Sequence, residues 1–276
     1  MQPPEIFDRN ARHMQRDRSV GANSFLAGRM VEILVERLDG VQREFASALV
    51  IGAEPALIAM LESRGCRAYV REAAPRRALR AGARRAEEDR IAAGDAAYDL
   101  VVSANCLDTV ADLPGVLVQC RRALRSDGLF LACFFGAPSL PALRRAVATA
   151  DGDSPVARFH PQIDVRAAGD LLVRAGFALP VADLETLTIA YSSFGRLIGD
   201  LRDAAATNVL RDRRSVNRGW LARAAEAFGG QPKETIGLVV LTGWAPDASQ
   251  PKPARRGSAT ASLAAALAKP APRASR

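Results

Sequence analysis

Leu26, Met30, Ile33, Leu34 and Leu38 recur three and four positions apart, a spacing that predicts an amphipathic helix over Phe25–Leu38. The next apolar run, Ala46–Ile51, is short and unbroken and closes on Gly52, as a strand buried on both faces does. Pro55–Arg64 then predicts a helix with Leu57, Met60 and Leu61 on one side, and Arg67–Val70 a second strand. Pro75 suits the first turn of a helix running to Arg85 with a heavily basic face. Tyr98–Ser103 predicts a third strand, Leu113–Leu124 a helix, Asp127-Gly128 a turn, and Leu129–Phe135 a continuous apolar strand. Strands alternating with helices imply an α/β protein, a doubly wound parallel sheet with helices on both faces.

The remaining pattern predicts helices over 138–150 and Asp164–Ala175, the second stopped by Gly176 as a C′ residue. Asp151–Pro161 is a polar connection. Phe177–Leu187 reads as a strand, Phe194–Ala205 and Gly219–Phe228 as helices, and Thr235–Trp244 as a terminal strand. Beyond Pro246 the chain turns to Pro, Ala, Ser and Arg, a composition that does not build a core. Three segments follow: a polar, Arg-bearing arm over 1–20, one domain over 21–246, and a basic tail over 247–276 expected to be disordered.

Composition narrows the function classes. Hydrophobic residues make up 49% of the chain but aromatics only 5%, so aliphatic side chains carry the packing and no broad stacking surface for single-stranded nucleic acid is available. The net charge is +8, and the tail holds six basic residues against the single acid Asp247. That excess reads as a solvated tail, with an acidic partner or anionic lipid as the sharper alternative. No specific nucleic-acid partner is expected, and at most peripheral membrane contact. Cys66, Cys106, Cys120 and Cys133 form no CxxC pair, and the only histidines are His13 and His160, so no metal site is expected. The polar N-terminus lacks an apolar signal region, and a cytoplasmic location is expected.

In a doubly wound sheet the ligand sits beyond the carboxyl ends of the strands. The first strand-to-helix loop reads ALVIGAEPA, residues 48–56. Gly52 lets a backbone approach a ligand closely. Glu54 puts a charged side chain in that approach, and Pro55 removes an amide donor. Glu72 ends the second strand, where an acid accepts hydrogen bonds from a ribose; the plain alternative is a surface carboxylate paired with Arg71 or Arg76. Glu87, Glu88 and Asp89 lead toward the third strand, and they either cap a turn, pair with Arg84 and Arg85, or meet an adenine amino group.

Residues 98–132, YDLVVSANCLDTVADLPGVLVQCRRALRSDGLFLA, resemble the fourth-strand region of class I S-adenosylmethionine-dependent methyltransferases. IFDRNARHMQRDRSV (6–20), AGFALPVAD (175–183) and LTGWAPDASQPKPARRGS (241–258) resemble one branch of them: bacterial relatives of the mitochondrial complex I assembly factor that has a methyltransferase fold. That branch is similar to the biotin-pathway methyltransferases that esterify a malonyl carrier protein. It is known for hydroxylating an arginine of a complex I subunit. The resemblance implies a seven-stranded, mostly parallel sheet with an antiparallel strand near the C-terminus, and a site for S-adenosyl-L-methionine. Gly52 matches the first glycine of the family loop, Glu72 the acidic ribose ligand, and Glu87 with Glu88 the acidic pair before the third strand; Asn105 and Asp108 lie in the loop flanking the cofactor. Val50 stands where the family carries Asp, Glu54 and Ala56 where it carries further glycines, and Asp108-Thr109 where it carries His-Trp.

No catalytic residue is assigned: neither histidine has a visible partner, and no HxD pattern offers an iron triad. The basic helix Pro75–Arg85 and the basic tail suggest a nucleic-acid-binding module, which the low aromatic content opposes. Two other functions follow from these readings. One is an S-adenosylmethionine-dependent methyltransferase-like protein acting on a protein substrate in respiratory complex I assembly, its partner a complex I subunit or other protein. The other is a pseudo-enzyme or assembly factor that keeps the fold without binding the cofactor normally. Arg9, Arg12, Arg16 and Arg18 are expected to meet an acidic partner surface.

Overall fold

The computed structural model describes residues 4–153, 156–230 and 232–251. The chain divides into two compact units, Met1–Pro246 and Asp247–Arg276, and every element named below belongs to the first. In the second, a turn places the amide and hydroxyl of Ser249 as donors to Asp247 Oδ1. The rest of the basic tail, 252–276, lies outside the described residues.

Helices α1 (Arg9–Arg18) and α2 (Phe25–Asp39) precede strand β1 (Ser47–Ile51). Then come α3 (Pro55–Ser63), β2 (Arg67–Glu72), α4 (Pro75–Arg80), β3 (Arg84–Arg85) and β4 (Tyr98–Ala104). The second half runs α5 (Leu113–Ala123), β5 (Leu124–Gly136), α6 (Pro141–Asp151), α7 (Val165–Ala175), β6 (Ala178–Ala190), α8 (Phe194–Asp203), α9 (Arg218–Phe228) and β7 (Lys233–Trp244). The strands form one seven-stranded sheet in the order β3-β2-β1-β4-β5-β7-β6. Pairings are parallel from β3 through β5, and β7 runs antiparallel to both β5 and β6. The doubly wound sheet and its antiparallel strand near the C-terminus stand as the sequence implied.

Sheet alternation sorts the apolar residues into two layers. Leu100 and Val102 of β4 face one way, onto Leu26, Met30 and Leu34 of α2 and Leu57 of α3. Val101 faces the other way, toward Val116 and Leu117 of α5 and Leu172 of α7. Local chemistry ends these helices where the pattern says: Ser24 Oγ accepts from the Ala27 amide at the start of α2, and Gly176, at φ 84°, closes α7 in a left-handed turn.

The structure corrects the reading at two places. The basic helix expected over Pro75–Arg85 stops at Arg80; Gly82 turns the chain at φ 59°, and Arg84–Arg85 become an edge strand paired with Arg71 and Glu72. Tyr98–Ala104 is therefore the fourth strand, not the third. The Asp127-Gly128 turn lies inside β5, as a bulge where the register shifts between Tyr98 and Leu100.

At the start of β7, Glu234 is fully buried and caps α6 from outside that helix. Its Oε1 accepts from the amides of Ala142 at 3.2 Å and Thr235 at 2.9 Å, and its Oε2 from Leu143 at 2.7 Å. Glu234→Ala strands two first-turn amides in the core. We expect it to lower unfolding free energy by about 1–3 kcal/mol, measured by urea denaturation with far-ultraviolet circular dichroism; an unchanged midpoint would refute the capping role.

Candidate functional site

The strand order reverses at β1, which pairs with β2 on one side and β4 on the other, so a crevice opens beyond their carboxyl ends. Gly52 leaves β1 with φ 89°. A Cβ there would strike Cys106 Sγ and come to 3.2 Å from Arg16 Nη2. Glu54 precedes Pro55 at the start of α3 without capping that helix. Its buried carboxylate instead accepts from Arg77 Nη2, while Arg77 Nε donates to Ala53 O at 3.0 Å and Nη1 to Ser19 Oγ at 2.9 Å.

Glu72 is the hub. It ends β2 only 2% exposed, not on the surface, and pairs with neither Arg71 nor Arg76. Oε1 accepts from Arg16 Nε at 2.9 Å and the Ala74 amide at 3.0 Å, and Oε2 from Arg16 Nη2 at 2.6 Å and the Ala53 amide at 2.9 Å. Burial alone would push this carboxyl up. The charge and hydrogen bonds of Arg16, with the Ala53 and Ala74 amides, overcome that and hold it at about 2.

Arg16 reaches the crevice because α1 lies in it. Asp8 caps that helix, its Oδ1 accepting from the Ala11 amide. Arg9, Arg12, His13 and Arg16 recur at three and four residues, so they share one helical face. Each meets an acid. Arg9 binds Glu87 and Asp89; His13 Nε2 lies 3.1 Å from Glu87 Oε2; Arg12 and Arg16 stand 3.8 Å and 4.0 Å from Glu88. Glu87 and Glu88 thus do not pair with Arg84 or Arg85, because α1 supplies nearer cations. The hydrogen bond from His13 holds the Glu87 carboxyl below its usual range, and the same bond raises His13. Asn105, at φ 57°, donates from Nδ2 to Ala204 O at 2.6 Å, and its carbonyl accepts from Arg12 Nη2 and Arg16 Nη1, both at 3.2 Å.

Gly52, Glu72, Glu88 and Asn105 therefore gather around one guanidinium, with Glu87 beyond His13. The arginines expected to face a partner are corrected: Arg12 is 3% exposed and Arg16 fully buried, and Arg9 is held by Glu5 and Asp89; only Arg18 is open. The four-residue spacing on α1 facing the acids of the crevice was the available signal. Arg77, the counterion of Glu54, carried none.

This arrangement does not fit S-adenosylmethionine. Both Glu72 oxygens already accept two bonds, the Ala53 amide is spent on Glu72, and Arg16 lies over Gly52. Open space of about 550 Å³ remains beside the loop, bordered by Gly21, Ser24, Glu54, Arg77 and Asn105, but Glu72, Glu87 and Glu88 do not border it. Among the described residues no group of three His, Cys, Asp or Glu could hold a metal, and no helix is long and apolar enough to cross a membrane.

The sheet order and the crevice define the class of fold: it is that of the class I S-adenosylmethionine-dependent methyltransferases. Residues 50–132 match the family described as a methyltransferase domain. Over 179 residues the chain is 33% identical to the arginine-hydroxylase NDUFAF5, mitochondrial, of Dictyostelium discoideum, covering 60% of this chain and 41% of that one. Over 136 residues it is 39% identical to the malonyl-acyl-carrier-protein O-methyltransferase of Xylella fastidiosa, covering 49% and 45%. The chain thus spans less than half the length of these two relatives. A solved structure from Bacillus halodurans, titled as a candidate methyltransferase, superposes with a TM-score of 0.52 at 12% identity, covering 78% of this chain and 99% of that one; it shows the fold alone.

Arg16→Met leaves the buried Glu72 carboxylate without its main cation, and we expect a loss of about 3–5 kcal/mol. Arg16→Met with Glu72→Gln should lose markedly less, because the stranded charge is gone. The acid limb gives an independent check. Glu72 titrates at about 2 in the folded chain against 4.5 ordinarily, so its contribution is present above pH 4.5 and is lost as pH falls through about 2. Glu72→Gln should flatten that limb in thermal melts; additive losses in the double variant, with an unaltered limb, would contradict the pairing.

Proposed function

We propose that this protein works in the cytoplasm as a partner-binding, methyltransferase-fold factor in respiratory complex I assembly, with its nucleoside subsite closed by its own α1. The observation that carries the closed subsite is the bidentate Arg16–Glu72 pair, set where a ribose would need the same carboxylate. The assembly role is supported by the resemblance of 6–20 and 241–258 to the assembly-factor branch, and by the similarity to a protein named as an arginine-hydroxylase. A complex I subunit, or another protein, is the partner this reading requires.

A second reading keeps the cofactor. The open space beside Ala53 and Asn105 and the methyltransferase-domain match over 50–132 favour it: α1 would have to leave the crevice before S-adenosylmethionine could reach Glu72, Glu87 and Glu88. The chain would then act on its protein partner as a transferase.

Titration with S-adenosylmethionine and S-adenosylhomocysteine separates the two. For the wild type we expect no saturable heat by calorimetry and no rise in melting temperature; a saturable rise would overturn the closed subsite and favour the transferase. For the assembly role, deleting the gene should lower complex I content and NADH-linked respiration, and Glu72→Gln should restore both if the nucleotide is dispensable. Unchanged complex I in the deletion strain would sink that role.

A further inference from the structure

A second cavity, of about 390 Å³, lies away from the acids that α1 covers. Asp108, in the turn after β4, and Phe135, near the end of β5, line it, together with Leu143, Ile198 and Trp220 of α6, α8 and α9. Four aromatic rings line it, those of Phe135, Phe159, Phe194 and Trp220, in a chain with only 5% aromatic residues. Ion pairing and stacking brace this lining. Trp220 Nε1 donates to Asp151 Oδ1 at 2.7 Å, Arg158 binds the same carboxylate and stacks 4.9 Å from the Trp220 ring, and Arg144 stacks 4.3 Å from Phe159. Volume, apolar lining and a few fixed polar groups are the attributes of a preformed small-ligand site.

The polar groups are distributed unevenly. Asp108 Oδ1 is buried without a hydrogen-bond partner, a costly state for a carboxylate oxygen. His160 gives it no cation: burial pushes the imidazole down to about 4, and Nε2 accepts from the Val209 amide at 2.9 Å, which puts the proton on Nδ1. Arg202 and Arg214, both exposed at the lining, have no carboxylate partner among the described residues, whereas Arg158 and Arg213 are held by Asp151 and Asp8. The exposed arginines favour an anion, the rings favour a flat ring, and the Asp108 carboxylate wants a hydrogen-bond donor. A cationic head would satisfy Asp108 but must pass the arginines.

We infer that this cavity binds a hydroxyaryl carboxylate: an aromatic ring whose hydroxyl donates to Asp108 and whose carboxylate meets Arg202 and Arg214. Such a group comes either as a free small acid or as a tyrosine beside acidic residues in a protein segment. The inference does not rest on the closed nucleoside subsite.

The full chain is titrated with 3-(4-hydroxyphenyl)propionate, 3-phenylpropionate and tyramine, followed by ¹⁵N-edited NMR and thermal shift. The hydroxylated acid should bind saturably and about tenfold more tightly than 3-phenylpropionate. Tyramine, which lacks the carboxylate and carries a cation, should bind most weakly. Asp108→Leu should erase the preference for the hydroxyl, a ratio read within one folded protein. Arg202→Ala with Arg214→Ala should lower affinity about fivefold and reduce its salt dependence. Leu143→Trp, filling the cavity, should abolish binding. Equal affinity of the two acids in the wild type, no saturable binding, or binding unaffected by Leu143→Trp would each overturn the assignment. An acetylated Asp-Glu-Tyr-Glu-Asp peptide then names the source: tighter binding than the free acid points to a protein segment, weaker binding to a small molecule, and either result stands only if it is lost in Leu143→Trp.

Discussion

An arginine and a glutamate held out of water at the mouth of the central strands organise everything around them. Taking both charges from solvent costs several kcal/mol per ion unless geometry and further hydrogen bonds repay it. Here they do, through two parallel bonds between Arg16 and Glu72 and through two backbone amides on the carboxylate. The amides come from the loop after β1 and the turn after β2, and the guanidinium comes from α1. One carboxylate therefore joins three stretches of chain. Asn105 adds a fourth, its carbonyl taking a bond from the same guanidinium while its side chain ties to the end of α8.

The charges of this end of the molecule form a graded system. Fully buried pairs lie at the centre, half-exposed ones such as Arg9 with Glu87 farther out, and open arginines such as Arg18 and Arg76 at the surface. Salt screens the outer members and leaves the inner ones largely untouched.

The sheet was legible in the sequence because its strands are continuous apolar runs and its helices keep a clean three-and-four spacing, from Leu26 to Leu38 and again in α5 and α7. The two-residue strand Arg84–Arg85 was not, since an exposed edge pair buries nothing and leaves no hydrophobic trace. The crevice was half legible. Gly52, Glu72, Glu88 and Asn105 are brought together as their positions along the strands suggested. What fills the space between them was misread, because an arginine-rich helix looks the same whether its charges meet water or buried acids 56 residues away. Separation in sequence likewise hid Arg77 from Glu54, 23 residues away, and hid the cavity that Asp108, Phe159 and Trp220 build together.

Gly52 is required here for reasons that involve no nucleotide. Its backbone is left-handed, and the space a side chain would need belongs to the Cys106 sulfur and the Arg16 guanidinium. Steric selection alone would preserve this glycine through descent. A glycine at this loop position is thus explained by packing within the chain, and does not by itself mark a chain that holds a nucleotide.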